Sequence, residues 1–434
     1  YKRYKTTIMD NKRVIATEKL NREIHRIIYP MFKKQYNINN ELVDEFFSLL
    51  NKRLEKGQCF RPYYMKVLYD YIKQCMINEK QDVSHLETPR MKQLLEIELP
   101  FFAEAIITIQ YLDNHILDEK NGIKENNKAL KKIMLSSNIM KDYLWEYINH
   151  IEFDNKEIEC SIKKRLRIYI RKIFLYVDIG QSIELDWNRY SIIKNNIEPI
   201  ENPFKGELEG FIDFKPMNEI IDFVFSEIKE EYHSCLNNYF KRIYLTTASL
   251  FILLGELLLD ITGYKGKEYN NIKDFTKCYG LLSQIVNDNC DMVPAHFELK
   301  TNGKTVQDAF SDLKNKNITL PSLFHIDDRI ENNTIIEVLG NNSLITSKVE
   351  DIIFEEIKKQ KTVYKSISIG RLLAKKARIF INTDEILNIL TIADWNKYYH
   401  AFYEKNNSPK SKNIFWQKYS DLKKEIDFEK QRAI

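Results

Sequence analysis

The sequence predicts an all-α protein. Three observations point there. Glycine and proline are scarce, at 12 and 10 of 434 residues. Leu, Ile, Lys and Glu are plentiful. Long stretches space their apolar residues as one face of a helix requires. The length suits one large helical domain with a sizeable core.

Taken in order, residues 1–30 form a basic, polar lead-in that turns amphipathic at Leu20–Ile28 and stops at Pro30. Asn39 and Asn40 are placed to cap the next helix, which ends at Gly57. Arg61-Pro62 restarts the chain, and Tyr64–Ile77 reads as helix. A polar connection covers Asn78–Pro89. Met91–Glu119 is long and apolar, with a kink or break expected at Pro100. Lys120–Asn127 is a polar loop, and several amphipathic helices are expected between 128 and 236, Met217–Leu236 among them. Asn195–Asp213, with two prolines and two glycines, is the strongest loop candidate. Tyr239–Thr262 and Ile272–Val286 read as apolar helices. Helices are also expected at Ser347–Lys359, Ile369–Phe380 and Thr383–Tyr403. The charge-rich Glu355–Lys365 reads as an exposed helix face.

Bulk properties narrow the function. A net charge of +4 gives no polyelectrolyte signal, so nucleic acid is not an expected partner. Six scattered cysteines without a CxxC indicate neither a zinc site nor a disulfide framework. The N-terminus shows no apolar signal region. The longest apolar run, Ala248–Ile261, is broken by Glu256 and is too short to span a bilayer. A cytoplasmic protein without a transmembrane segment is the expectation.

Two segments carry chemistry. Glu104–Glu119 (EAIITIQYLDNHILDE) is an apolar helix with a polar end. Asn114 and Asp118 share a face one turn apart, flanked by Asp113 and Glu119. Gly280–Asp291 (GLLSQIVNDNCD) repeats the design with Asn287, Asp288 and Asp291. Two oxygen-bearing helix ends suit hard cations such as Mg2+, which fill their coordination shells with substrate phosphates. Taken singly, either segment also reads as a core helix with a solvated acidic end.

Five ordered segments resemble the trans-prenyl diphosphate synthases, of the class I isoprenoid synthase superfamily. KGQCFRP (Lys56–Pro62) is similar to GGKRxRP, and the segment ending at Asp118 to the helix ending in DDxxD. TTASLF (Thr246–Phe251) is similar to KTAxLF, QIVNDNCD (Gln284–Asp291) to QIxDDxxD, and DLKNKNITLP (Asp312–Pro321) to DLxxGKxTLP. The resemblance covers roughly residues 35–325. It implies an isoprenoid synthase-like helical domain at 35–326 with a central apolar cavity, an N-terminal extension at 1–34 and a C-terminal helical extension at 327–434 packed on it. It also implies Mg2+ held by Asp113, Asn114, Asp118, Asn287, Asp288 and Asp291, with Asp118, Asp288 and Asp291 catalytic. Arg61, His115, Thr247 and Gln284 are the implied substrate contacts. The implied substrate is a C10–C20 prenyl diphosphate, ionised as metals neutralise the departing pyrophosphate.

The departures from the pattern shape the expected reaction. In the first motif only Asp118 keeps a family aspartate, and Asp113 lies one position upstream, where a small helix rotation would let it substitute. Asn287 replaces the first aspartate of the second motif. Gln58, Cys59 and Ile107 replace the lysine, first arginine and histidine of the isopentenyl diphosphate site, and Thr246 replaces the lysine of KTA. Each lost charged hydrogen bond costs about 1.5–3 kcal/mol. The pattern suits transfer of the prenyl group to an acceptor other than isopentenyl diphosphate, a peptide or small molecule. The alternatives are a terpene cyclase, or a non-catalytic subunit or lipid-binding relative. A homodimer and a heterodimer are both open. Elsewhere, His296, His325 and His400 read as surface or core residues, the four tryptophans as packing anchors, and Tyr63, Tyr64, Tyr69 and Tyr71 as core before tunnel lining.

Overall fold

The computed structural model describes residues 19, 22–30, 44, 47–50, 60–117, 127–187, 208, 210–294, 309–328, 333–340, 345–390 and 414–433. Among them the regular elements are all helical. The chain divides into two compact units. One comprises Tyr1–Lys172 with Leu253–Tyr269, the other Ile173–Ile252 with Asn270–Ile434.

The first unit contains α1 (Phe60–Asn78), α2 (Pro89–Gln93), α3 (Leu99–Leu117), α4 (Asn127–Asn149) and the start of α5 (Lys156–Trp187). Pro62 falls in the first turn of α1, where a missing N–H is harmless. Thr88 caps α2 by accepting from the Met91 N–H. The expected break at Pro100 is replaced by a π-turn, Leu94–Glu98, that joins α2 to α3. The Leu99 N–H bonds the Leu94 carbonyl, five residues back. This wider turn just before Pro100 lets the helix run on past a ring that would otherwise collide with the preceding turn. Arg90 fixes it through paired bonds of 3.0 and 3.1 Å to the buried Glu98. α3 packs against α1 and α4, and the rings of Phe47, Phe101, Phe102 and Tyr147 cluster there, one pair stacked and the others tilted or edge-on. Tyr64 and Tyr69 are fully buried, which places them in the core.

The second unit holds the remainder of α5, then α6 (Asn218–Ser226) and α7 (His233–Ile243). The single helix expected over Met217–Leu236 is therefore two, separated by a turn in which Lys229 is extended. A π-turn, Tyr244–Ala248, joins α7 to α8 (Ser249–Thr262), and α9 (Tyr269–Asp291) follows. The chain passes between the units within α5 and α8 and at the start of α9. The helical run Glu230–Thr262 is long and apolar enough to cross a membrane, but 78% of its most apolar window is buried in the protein. The expectation of a run too short to span is thus corrected: Ala248–Ile261 is the end of a longer, mostly buried helix.

Next come α10 (Ser311–Lys314), α11 (Leu320–Asp328), α12 (Thr334–Gly340), α13 (Ser347–Gln360), α14 (Thr362–Phe380), α15 (Asp384–Leu390) and α16 (Ile414–Ala433). α14 packs against α6, α11, α13 and α16. The boundary expected at 326/327 falls inside α11. Glu355–Lys365 is not one exposed face. Lys361, at φ 60°, turns the chain between α13 and α14, and Lys365 is buried against Asp328 at 2.6 Å. Lys376 bonds Glu219 and Glu429, each at 2.7 Å, tying α6 and α16 to α14. No disulfide links the described cysteines. The loop expected at 195–213 and the helices expected at 41–57 and 391–403 lie wholly or mostly outside the described residues.

Candidate functional site

The second unit builds its site around the π-turn Tyr244–Ala248, which carries the TTASLF segment. The Ser249 N–H reaches the Tyr244 carbonyl, so one extra residue is inserted and the Thr246 and Thr247 side chains are re-aimed. Two glycines let neighbouring helices close on this turn. A Cβ on Gly180 of α5 would stand 2.7 Å from Thr246 Cγ2, and one on Gly280 of α9 would stand 2.6 Å from Ala248 Cα. Side chains are absent where three helices meet, and the turn is clamped between α5 and α9.

From this clamp a ladder runs along α9. Thr247 Oγ1 donates to Gln284 Oε1 at 2.5 Å. Gln284 Nε2, one helical turn from Asp288, donates to its Oδ1 at 2.6 Å. The other oxygen of Asp288 accepts from the Tyr239 hydroxyl at 2.7 Å and lies 4.0 Å from Arg242 Nη2. Arg242 in turn donates to Glu184 at 3.1 Å, and Asn317 bonds the second oxygen of Glu184. Asp288 is 0% exposed and Arg242 3%. Burial pushes the Asp288 carboxyl up, against the pull of Arg242, Tyr239 and Gln284. It also raises the Tyr239 hydroxyl well above its ordinary value, with Asp288 adding to the effect.

Asp291 has a different task. Its Oδ1 accepts from the Ser311 N–H at 3.0 Å and the Ser311 hydroxyl at 2.8 Å. Its Oδ2 accepts from the Asp312 N–H at 3.0 Å, and its carbonyl accepts from the Phe310 N–H at 2.7 Å. Phe310 sits at φ 54°, a conformation costly for an aromatic residue unless neighbours enforce it. Asp291 therefore caps α10 and holds the DLKNKNITLP segment against the end of α9. Burial, then Asp291 and Asp288, push the Asp312 carboxyl well above the usual range.

In the first unit, Asp113 turns toward α4. It accepts from Ser137 at 2.5 Å and pairs with Lys141 at 2.9 Å. Asn114 is exposed. Arg61 is half-buried in the first turn of α1, and Ile107 is half-buried in α3. Gln58, Cys59 and Asp118 and the side chain of His115 lie outside the described residues.

This placement separates the candidates by chemistry. Asp113, Asp288 and Asp291 each accept hydrogen bonds from protein donors. Asn114 and Asn287 are exposed. Among the described residues, no group of three or more His, Cys, Asp or Glu could hold a metal ion. The structure brings Thr247, Gln284 and Asp288 together as one bonded chain. It adds Tyr239, Arg242 and Glu184 from outside the motifs, and brings in Asn317 and Asp312 from the DLKNKNITLP segment. The sequence held one signal for Arg242. It lies four residues before Thr246, the position that lacks the KTA lysine.

Residues 217–356 match the polyprenyl synthetase family model. No curated protein sequence matches the chain. Among solved structures, the fold is similar to geranylgeranyl pyrophosphate synthase from Corynebacterium glutamicum, with a TM-score of 0.56 and 12% identity over 89% of this chain and 97% of that one. It is also similar to a polyprenyl synthase from Caulobacter crescentus CB15 (0.55, 14% identity, 90% and 98% covered) and to octaprenyl pyrophosphate synthase from Helicobacter pylori (0.54, 15%, 87% and 98%). The fold is that of the class I isoprenoid synthases. The segment that matches the family model, residues 217–356, carries the second acidic motif in a divergent form.

Proposed function

We propose that the chain acts on a prenyl diphosphate and passes the prenyl group to an acceptor other than isopentenyl diphosphate. One observation carries this reading: the second acidic motif presents a neutral tip and hides its acids. Asn287 is exposed while Asp288 and Asp291 are 0% and 1% exposed. A buried, compensated carboxylate repels an approaching diphosphate far less than an exposed one. The Asn287 amide can donate to phosphate oxygens or accept a hard cation. The Caulobacter and Corynebacterium enzymes were solved with isoprenyl diphosphate and with calcium or magnesium, respectively. By analogy, a C10–C20 prenyl diphosphate is the proposed substrate and Mg2+ the proposed cofactor here. When bound, Mg2+ would neutralise charge on the departing pyrophosphate, and in the second unit Asn287 is the residue proposed to contact it. The ladder from Thr247 to Asp288 fixes the rotation of α9 and so the direction in which Asn287 points. Replacement of the isopentenyl anchors by Gln58, Cys59 and Ile107 supports a different acceptor.

The second reading is a non-catalytic subunit, favoured by the commitment of Asp113, Asp288 and Asp291 to protein partners. Asn287→Asp separates the two. In the transferase reading the added carboxylate lowers the Mg2+ concentration for half-maximal pyrophosphate release about tenfold, a difference of about 1.4 kcal/mol. A Mg2+ titration of geranylgeranyl diphosphate turnover by both proteins reads this directly. Identical titration curves would remove Asn287 from the site.

A further inference from the structure

Arg242 is the least expected member of the second motif's wall. Its guanidinium is 3% exposed, beside Glu184 at 3.1 Å and Asp288 at 4.0 Å. It also lies 5.4 Å from the Tyr239 ring centroid, within cation–π range. Its Nε and Nη2 make no hydrogen bond. Burying a guanidinium is costly unless opposite charge surrounds it. Burial does work against the Arg242 charge, but Glu184, Asp288 and Asp312 outweigh it and keep the group protonated. Four carboxyls crowd this end of α9: Glu184, Asp288, Asp291 and Asp312. Asp291 is satisfied by backbone and hydroxyl donors. Arg242 lies against Glu184 and Asp288.

We propose that Arg242 is a built-in counter-ion that takes the electrostatic place of a divalent cation at the second acidic motif, so that Asp288 binds no metal of its own. The guanidinium suits the task because it stays charged at any working pH and its planar fork has a fixed position. A permanent cation offsets part of the wall's negative charge before any ligand arrives. It thereby positions α9, and with it Asn287, independently of metal. Arg242 is a positioning residue: it acts through Asp288 and Glu184. The inference goes beyond the proposed reaction and stands whether or not the chain turns over a prenyl diphosphate.

The test uses Mn2+ alone as probe, on the full chain without substrate, with binding followed by electron paramagnetic resonance. Wild-type protein and Asp288→Asn are expected to bind Mn2+ with the same stoichiometry and affinity. Arg242→Gln, which leaves Glu184 and Asp288 uncompensated, is expected to gain one Mn2+ site at least tenfold tighter than any in the wild type. Asp288→Asn added to that variant is expected to abolish the new site. Where Arg242→Gln fails to fold, the wild-type comparison with Asp288→Asn decides alone. A wild-type Mn2+ site lost in Asp288→Asn overturns the proposal, as does a folded Arg242→Gln that gains no site.

Discussion

Asp291→Ala is expected to destabilise the protein by about 3–5 kcal/mol, with most of the loss in the second unit. The substitution strands three donors at once: the N–H groups of Ser311 and Asp312 and the Ser311 hydroxyl. Each unsatisfied buried donor costs about 1–3 kcal/mol, and the hydroxyl can turn to a new partner. Phe310 keeps its N–H bond to the residue 291 carbonyl, but the two residues after it lose the side-chain bonds that hold the turn in its αL conformation. Ser311→Ala removes only the hydroxyl and should cost about 1 kcal/mol. Urea unfolding midpoints of the three proteins, read at unchanged slope, give the comparison. A loss below about 1 kcal/mol for Asp291→Ala would mean that Asp291 does not anchor this segment.

Gly280→Ala is expected to cost about 1–3 kcal/mol, large for a single methyl group. Its Cβ would stand 2.6 Å from both Cα and Cβ of Ala248. Backbone, not a flexible side-chain tip, must yield, so α9 has to move away from the π-turn. Gln284 lies one turn further along α9, and its bond to Thr247 lengthens with that movement. Gly370→Ala provides the contrast. There the added Cβ meets Leu282 at an ordinary 3.5 Å, and removing a mid-helix glycine should gain about 0.5–1 kcal/mol. Thermal melts showing a loss at position 280 and a gain at 370 would support the clamp. Equal, small effects at both would contradict it.

Much of this architecture was legible in the chain, because helical periodicity records burial directly. α1, α3, α9 and α13 lie where their apolar spacing places them, while α14 begins at Thr362, seven residues before the expected Ile369. The π-turn at Leu94–Glu98 was hidden because its cause is local backbone relief before Pro100, which periodicity reads only as a defect. The split of Met217–Leu236 was hidden because the short turn after Ser226 contains neither glycine nor proline. In the site, motif comparison found Asp288 and Asp291 by residue type but said nothing of their surroundings. Whether an aspartate faces solvent or caps a distant turn depends on Ser311 and Asp312, about twenty residues away. Arg242 was missed for a related reason: an arginine on a helix is ordinarily a surface residue, and carboxylates distant in sequence, Glu184 in α5 and Asp288 in α9, make its burial tolerable. Gly180 and Gly280 carried no signal either, since a helix-interior glycine acquires meaning only from the chain packed against it.

The most direct measurement is of pyrophosphate release from geranyl, farnesyl and geranylgeranyl diphosphates with Mg2+, run beside incorporation of labelled isopentenyl diphosphate. The predicted result is release that rises when a peptide or small-molecule acceptor is supplied, with no label entering a longer prenyl chain. Efficient incorporation of the label would contradict the account, as would absence of pyrophosphate release from every prenyl diphosphate with every acceptor.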